Sequence, residues 1–293
     1  MNLNAAILNE ILAGQWLMSP SHLLQIGHFM QNVVTYGAEH KRQKNDGISC
    51  LSFFNDDLHQ IHPREVNEIP MGSIAVINCV GPIMKNWSWW FVGADEIVAQ
   101  LDFANSLENV AGIVLRIDGP GGAVSAISPF IDFAKRKQKP LVALCDASLS
   151  LHRWIPDAVA DFQMAENDIS ARFGSVGVVS TWTDLSKYYE NMGVVMEEVY
   201  PKESKHKNEV WRLYKDDPEA AKKMLADEHL SPMAIKFQNA VRAAHPNILE
   251  EEGVLTGRTF SADDAVRIGM INAIGDLSQA MQMAQSLSEM SAI

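Results

Sequence analysis

The chain has 293 residues, a formal net charge of -12 and 47% hydrophobic residues. It is long enough to bury a substantial core. A balance this acidic argues against nucleic acid as a partner, and no apolar run reaches the length of a bilayer, so no membrane partner is expected. Three cysteines, Cys50, Cys79 and Cys145, lie far apart without a CxxC pair. Cys79 and Cys145 sit in apolar strand-like runs and read as buried free thiols in a reducing compartment.

Residues 3–18 place Leu3, Ile7, Leu8, Ile11 and Leu12 at helical spacing. Ser19-Pro20-Ser21 breaks that helix, and a second runs to about Tyr36-Gly37. Residues 1–37 thus read as a helical extension: a docking element, an assembly element or a pro-segment. The first 18 residues carry no basic start, so no secretory signal is expected. Residues 38–71 read as a linker or mobile loop around a short apolar run, Ile48 to Phe54.

The main domain is expected over 72–276, with 277–293 as a C-terminal tail. Ser73 to Val80 is a predicted strand, followed by a loop with Trp87, Trp89, Trp90 and Phe91. That aromatic cluster suits core, an oligomer contact or the lining of a cleft. A helix over 93–107, a strand from Val110 to Ile117, a helix to about Gln138 and a strand over 140–145 come next. Alternating strands and helices predict parallel βαβ units. Residues 146–160 read as a loop and a short helix. Strands follow at 161–165 and 174–179, then a helix at 182–192 and a strand from Gly193 to Tyr200. Residues 217–245 are helical in pattern, interrupted near Ser231-Pro232. Val254 to Asn272 reads as strand, helix N-capped by Ser261, and strand.

One stretch concentrates the chemistry. The strand ending at Ile117 runs into Asp118-Gly-Pro-Gly-Gly122, and a helical pattern follows. Paired glycines at such a junction let backbone N–H groups face a ligand. Donors held there can bind an anion or the oxyanion of acyl transfer. A plain turn between strand and helix is the alternative reading. Parallel sheets place ligands at the carboxyl ends of their strands, and Cys145–Ser150 and Gly174–Val178 end strands in the same way. A fourth segment, 201–208, holds Lys202, Lys205 and Lys207.

The ordered set resembles the signal peptide peptidase family, which includes soluble phage head-maturation proteases. It comprises Asp-Gly-Pro-Gly-Gly-Ala-Val, a serine before an aromatic-Ile helix, Gly-Ser-Val-Gly-Val and a lysine-rich loop. The resemblance covers roughly residues 72–276 and implies a ClpP/crotonase-like α/β fold, a parallel βαβ superhelix. It implies peptide hydrolysis by a Ser–Lys dyad without metal or organic cofactor. Aligned on Trp154-Ile155, the nucleophile falls on Ser150, with Ser148 the alternative. The base falls on Lys207 of Ser204-Lys-His-Lys207, with Lys205 its rival, and Ser175 orients the lysine. Gly121, Gly122 and Leu151 would supply the oxyanion hole.

A serine hydroxyl is a poor nucleophile until a base removes its proton, and a lysine serves as that base only when neutral. Ser150 otherwise reads as a helix cap, and Lys207 as a surface lysine. Asp118 is expected to fix the glycine turn through backbone hydrogen bonds, and His152 to point away from Ser150. The family pattern places Gly or Ala, Gly and an aromatic residue after the nucleophile; here Leu151, His152 and Arg153 stand there. The resemblance favours a cytoplasmic or virion-associated homo-oligomer acting on capsid or scaffold proteins. Three other readings stay open: an inactive assembly protein of the same fold, a signal-peptide-degrading peptidase, and a crotonase-type acyl-CoA enzyme.

Overall fold

The structure is a computed structural model that describes residues 15–18, 51–87, 92–181, 184, 186–195 and 197–291. In chain order, the described elements begin with β1 (Gln15–Met18), β2 (Leu51–Phe54), β3 (Gln60–Ile61), β4 (Ser73–Val80), β5 (Ile83–Met84) and β6 (Val92–Gly93). Next come α1 (Ala94–Ser106), β7 (Val110–Gly119), β8 (Gly121–Ala123), α2 (Ile127–Ala134), β9 (Leu141–Leu149) and α3 (Leu151–Val159). They continue with β10 (Phe162–Ala165), β11 (Arg172–Gly174), β12 (Val179–Ser180), α4 (Ser186–Asn191), α5 (Glu209–Asp216) and α6 (Pro218–Met224). A π-helical turn (Leu225–Leu230) leads into α7 (Ser231–Ala244), β13 (Thr259–Ser261), α8 (Ala262–Arg267), β14 (Ala273–Ile274) and α9 (Leu277–Ser291).

The large sheet runs β13-β11-β9-β7-β4-β2-β3, with β10 and β14 joined at the side of β9. Its centre, β4-β7-β9, is parallel, and β11 and β10 share the far side of β9 in two halves. Strands this deep are apolar on both faces, as parallel strands must be when helices cover them. Ile74 to Ile77, Ile113 to Leu115 and Leu141 to Cys145 are buried. One side packs on α1, α2 and α3, and the other on α9. This is the mixed α/β, ClpP/crotonase-like arrangement that the sequence implied.

Several expectations change. Residues 15–18 are strand, not the end of a helix; the rest of the two N-terminal helices lies outside the described residues. Leu51–Phe54 is not part of a linker: it pairs antiparallel with β4 and buries Phe53. The stretch expected as a tail forms α9, which buries Ala280, Met281 and Ala284 on the sheet. The described residues between Gly193 and Tyr200 form no strand; Val195 and Val199 are exposed, so the apolar pattern there faces no sheet. Near Ser231-Pro232 the helical pattern changes as expected: the π-helical turn ends at Leu230 and Pro232 stands in the first turn of α7. Ser261 caps α8 as expected, accepting from the Asp264 N–H. Cys79 and Cys145 are buried and in no disulfide, and burial pushes the Cys145 thiol up to about 12. Cys50 and most of the tryptophan loop lie outside the described residues.

Candidate active site

The ends of β7, β9 and β11 bring three of the four predicted segments together. A bulge between β7 and β9 lets Gly119 pair with Ser148, after Ile117 has paired with Cys145. The extra residue in β9 carries that strand past the glycine turn, to Leu149. Ser150 follows, its N–H donating to the Gly174 carbonyl at the end of β11 (2.9 Å). Ser175 comes next on that segment and is fixed by its own N–H to Arg258 O (2.8 Å). The glycine strand β8 lies against the start of α3: a Cβ on Gly122 would sit 2.9 Å from Leu151 Cδ2 and 2.0 Å from the Ile83 carbonyl. Only glycine lets β8 approach this closely.

Ser150 is the junction between β9 and α3, with φ 57 and ψ -115. Left-handed φ strains any residue with a Cβ. Among the described residues four non-glycines have positive φ: Leu58, Ser150, Ser175 and Asn208. Three of them fall at the predicted nucleophile, at the predicted orienting serine, and directly after Lys207. Ser150 is 2% exposed, yet its hydroxyl does not cap α3. The capping role that a serine here would ordinarily play is therefore not the one it has. The helix's own bonding starts with Arg153 N–H donating to Ser150 O (2.9 Å). The earlier first-turn N–H groups, Leu151 among them, are left at the positive end of the helix.

Lys207 stands apart. It follows a short turn, its N–H donating to Ser204 O (3.0 Å), and its side chain is exposed. Among the described residues no hydrogen bond joins it to Ser150 or Ser175. Lys205 is exposed on the same turn, as is His206, which contacts Glu209 (2.7 Å).

The three residues that depart from the family pattern are all fully buried. Leu151 fills the core beside Gly122. His152 reaches the glycine turn: the Gly121 N–H donates to its Nδ1 (3.0 Å). The ring lies on Gly119, where a Cβ would sit 2.3 Å from Nε2. Nδ1 accepts, so the neutral ring carries its proton on Nε2, which faces the Gly81 backbone without a well-formed hydrogen bond. Burial holds His152 far below its ordinary range, down to about 3. Gly121 thus has its N–H committed to His152, while the Leu151 N–H is not engaged by the turns of α3. Sequence reasoning missed this contact; its one trace is a glycine at 119, which leaves room for a ring.

Arg153 anchors a buried polar cluster. It pairs with Asp157 one turn on (Nε–Oδ2 3.2 Å) and with Gln163, while His245 Nε2 meets Asp157 Oδ1 at 2.9 Å. Burial alone would raise the Asp157 carboxyl, but the charges of Arg153 and His245 outweigh it and hold the group low. Trp154 stacks on Phe237 with ring centroids 4.7 Å apart. These contacts lock α3, and with it Ser150, onto α7. Asp118 belongs to a different cleft, lined also by Arg116, Asp146 and Glu166. It takes a hydrogen bond from the Ala147 backbone, while burial and those two acidic neighbours raise its carboxyl.

A serine at a strained strand-to-helix junction, beside a glycine strand in a largely parallel α/β sheet, defines the class: an α/β fold of the ClpP/crotonase type. The chain belongs to peptidase family S49, whose sequence profile matches residues 133–291. It is 23% identical over 197 residues to a protein of Methanocaldococcus jannaschii named provisionally as a protease, covering 65% of this chain and 60% of that one. It is 22% identical over 247 residues to Protease 4 of Haemophilus influenzae (83% and 39%). It is 31% identical over 111 residues to the head-tail preconnector protein GP5 of Enterobacteria phage P21 (37% and 22%). The chain therefore spans 60% or less of the length of each of these relatives. No helix among the described residues is long and apolar enough to cross a membrane.

Proposed function

We propose that the chain is a serine endopeptidase whose nucleophile is Ser150 and whose base is Lys207. The observation that carries this reading is the strained, buried Ser150, whose hydroxyl is spared from capping at the mouth of the glycine strand. Ser150 Oγ attacks the peptide carbonyl, and Lys207 takes its proton and passes it to the leaving amine. Leu151 N–H and the glycine strand hold the oxyanion, helped by the positive end of α3. Ser175 orients the lysine amine. An exposed lysine must be covered to become neutral, so the reading includes a homo-oligomer in which substrate or a neighbouring subunit closes over Lys207. The likeness to a phage head-tail preconnector favours capsid or scaffold proteins as substrates and a cytoplasmic or virion-associated setting.

The test is labelling by a fluorophosphonate together with casein hydrolysis. Both are expected in the wild type and absent in Ser150→Ala; absence of both from the wild type and from a variant with an open cleft overturns the reading. One observation favours a second reading, an inactive assembly protein: His152 occupies the Gly121 N–H. His152→Gly decides between them. Activity that appears only in that variant identifies the native chain as silent.

A further inference from the structure

The small sheet runs β12-β1-β8-β5-β6. Its second member, β1, is separated by more than thirty residues from the next described residue, Leu51. It lies antiparallel between two strands of the candidate site. Trp16, Leu17 and Met18 pair with Ala123, Gly122 and Gly121, and Gln15 and Trp16 pair with Ser180 and Val179. Both flanking strands come from site segments: β8 is the glycine strand, and β12 follows Gly174-Ser175. An extended peptide held between two strand edges is bound through its main chain, the geometry of strand addition. We propose that the groove between β8 and β12 is the peptide-binding site, and that its first substrate is this chain's own N-terminal segment, cut between Leu17 and Met18. The inference rests on the reading of Ser150 as a peptidase nucleophile.

The register selects the bond. Leu17 pairs with Gly122, and Gly122 abuts Leu151, the residue after Ser150. The proposed bond is therefore the one whose acyl residue, Leu17, pairs with Gly122 beside Leu151. Ser150 Oγ bonds to the Leu17 carbonyl carbon, the Leu17–Met18 C–N bond breaks, and the proton from Ser150 passes through Lys207 to the Met18 nitrogen. Water then hydrolyses the ester, leaving a Leu17 carboxylate and free Ser150. Until the cut is made, β1 competes with every peptide added in trans.

The full chain is purified and followed by intact mass and N-terminal sequencing, as wild type, Ser150→Ala and Leu17→Pro. Wild type is expected to lose residues 1–17 and begin at Met18; Ser150→Ala stays whole. Leu17→Pro removes a ladder N–H. It is expected to remain uncut and to hydrolyse casein faster than uncut wild type by about tenfold or more, the reciprocal of the free-groove fraction. Fluorophosphonate labelling of Leu17→Pro separates the two ideas. Labelling at Ser150 with a wild-type N-terminus that stays intact, or that is cut elsewhere, overturns self-processing alone. No labelling and no casein hydrolysis overturns the peptidase reading, and self-processing with it.

Discussion

One buried side chain near Ser150, His152, sets conditions under which the site is built. His152 and Gly119 occupy one volume: a methyl at 119 would meet the imidazole at 2.3 Å. Gly119→Ala is therefore expected to cost about 1–3 kcal/mol by overpacking. The same change in a His152→Ala background should cost much less. Chemical denaturation of the four proteins measures the coupling, and strict additivity would show that the ring does not rest on Gly119. His152 also ties stability to pH. Its folded value lies near 3, below the ordinary value of 6.5, so between these pH values the unfolded chain binds the extra proton. Its contribution is whole above about pH 6.5 and is lost progressively as pH falls toward 3, by roughly a few kcal/mol in all. Thermal unfolding from pH 7 to pH 4 should show that slope, and His152→Leu should flatten it. The residue type was visible in the sequence, but its partner was not, because the Gly121 contact spans 31 positions and follows no local spacing.

At the scale of elements, α3 is unusual in being buried from Leu151 to Pro156. A helix that enters the core with a charge must bring the countercharge with it. The i,i+4 spacing of Arg153 and Asp157 was present in the sequence; that both would be buried, with Gln163 and His245 closing the cluster, was not. Arg153→Met should destabilise by about 3–5 kcal/mol, because the buried Asp157 loses its guanidinium partner and keeps only His245 and Gln163. Arg153→Met with Asp157→Leu should recover much of that loss, as denaturant midpoints would show. Parallel strands β4, β7 and β9 were legible from apolar runs bounded by glycine or proline, since burial on both faces leaves such runs. β1 and β2 were not legible. Four-residue strands carry too little periodicity to outweigh a neighbouring helical pattern, and it is the edges they meet, β8 with β12 and β4, that decide their state.

At the scale of the whole molecule the separation of Lys207 from Ser150 is the open joint in the proposed mechanism. β9, α3 and β11 fix Ser150 and Ser175 within one core, whereas Lys207 rides on an exposed turn before α5. The order of these segments was legible along the chain, but order does not say which subunit's lysine reaches which serine. Lys207 is exposed, so the proposed base needs cover that the described residues of one chain do not provide. Hydrolysis should therefore depend on assembly: specific activity toward casein is expected to fall on dilution in step with loss of the oligomer by light scattering. Lys207→Ala should abolish hydrolysis at every concentration, and Lys205→Ala should leave most of it. Mixing Lys207→Ala with Ser150→Ala would then identify the donor. Recovered activity means that the lysine crosses a subunit boundary. No recovery, with mixed oligomers demonstrated, places it in the same chain, and activity that survives full dissociation rules out assembly as the source of the missing cover.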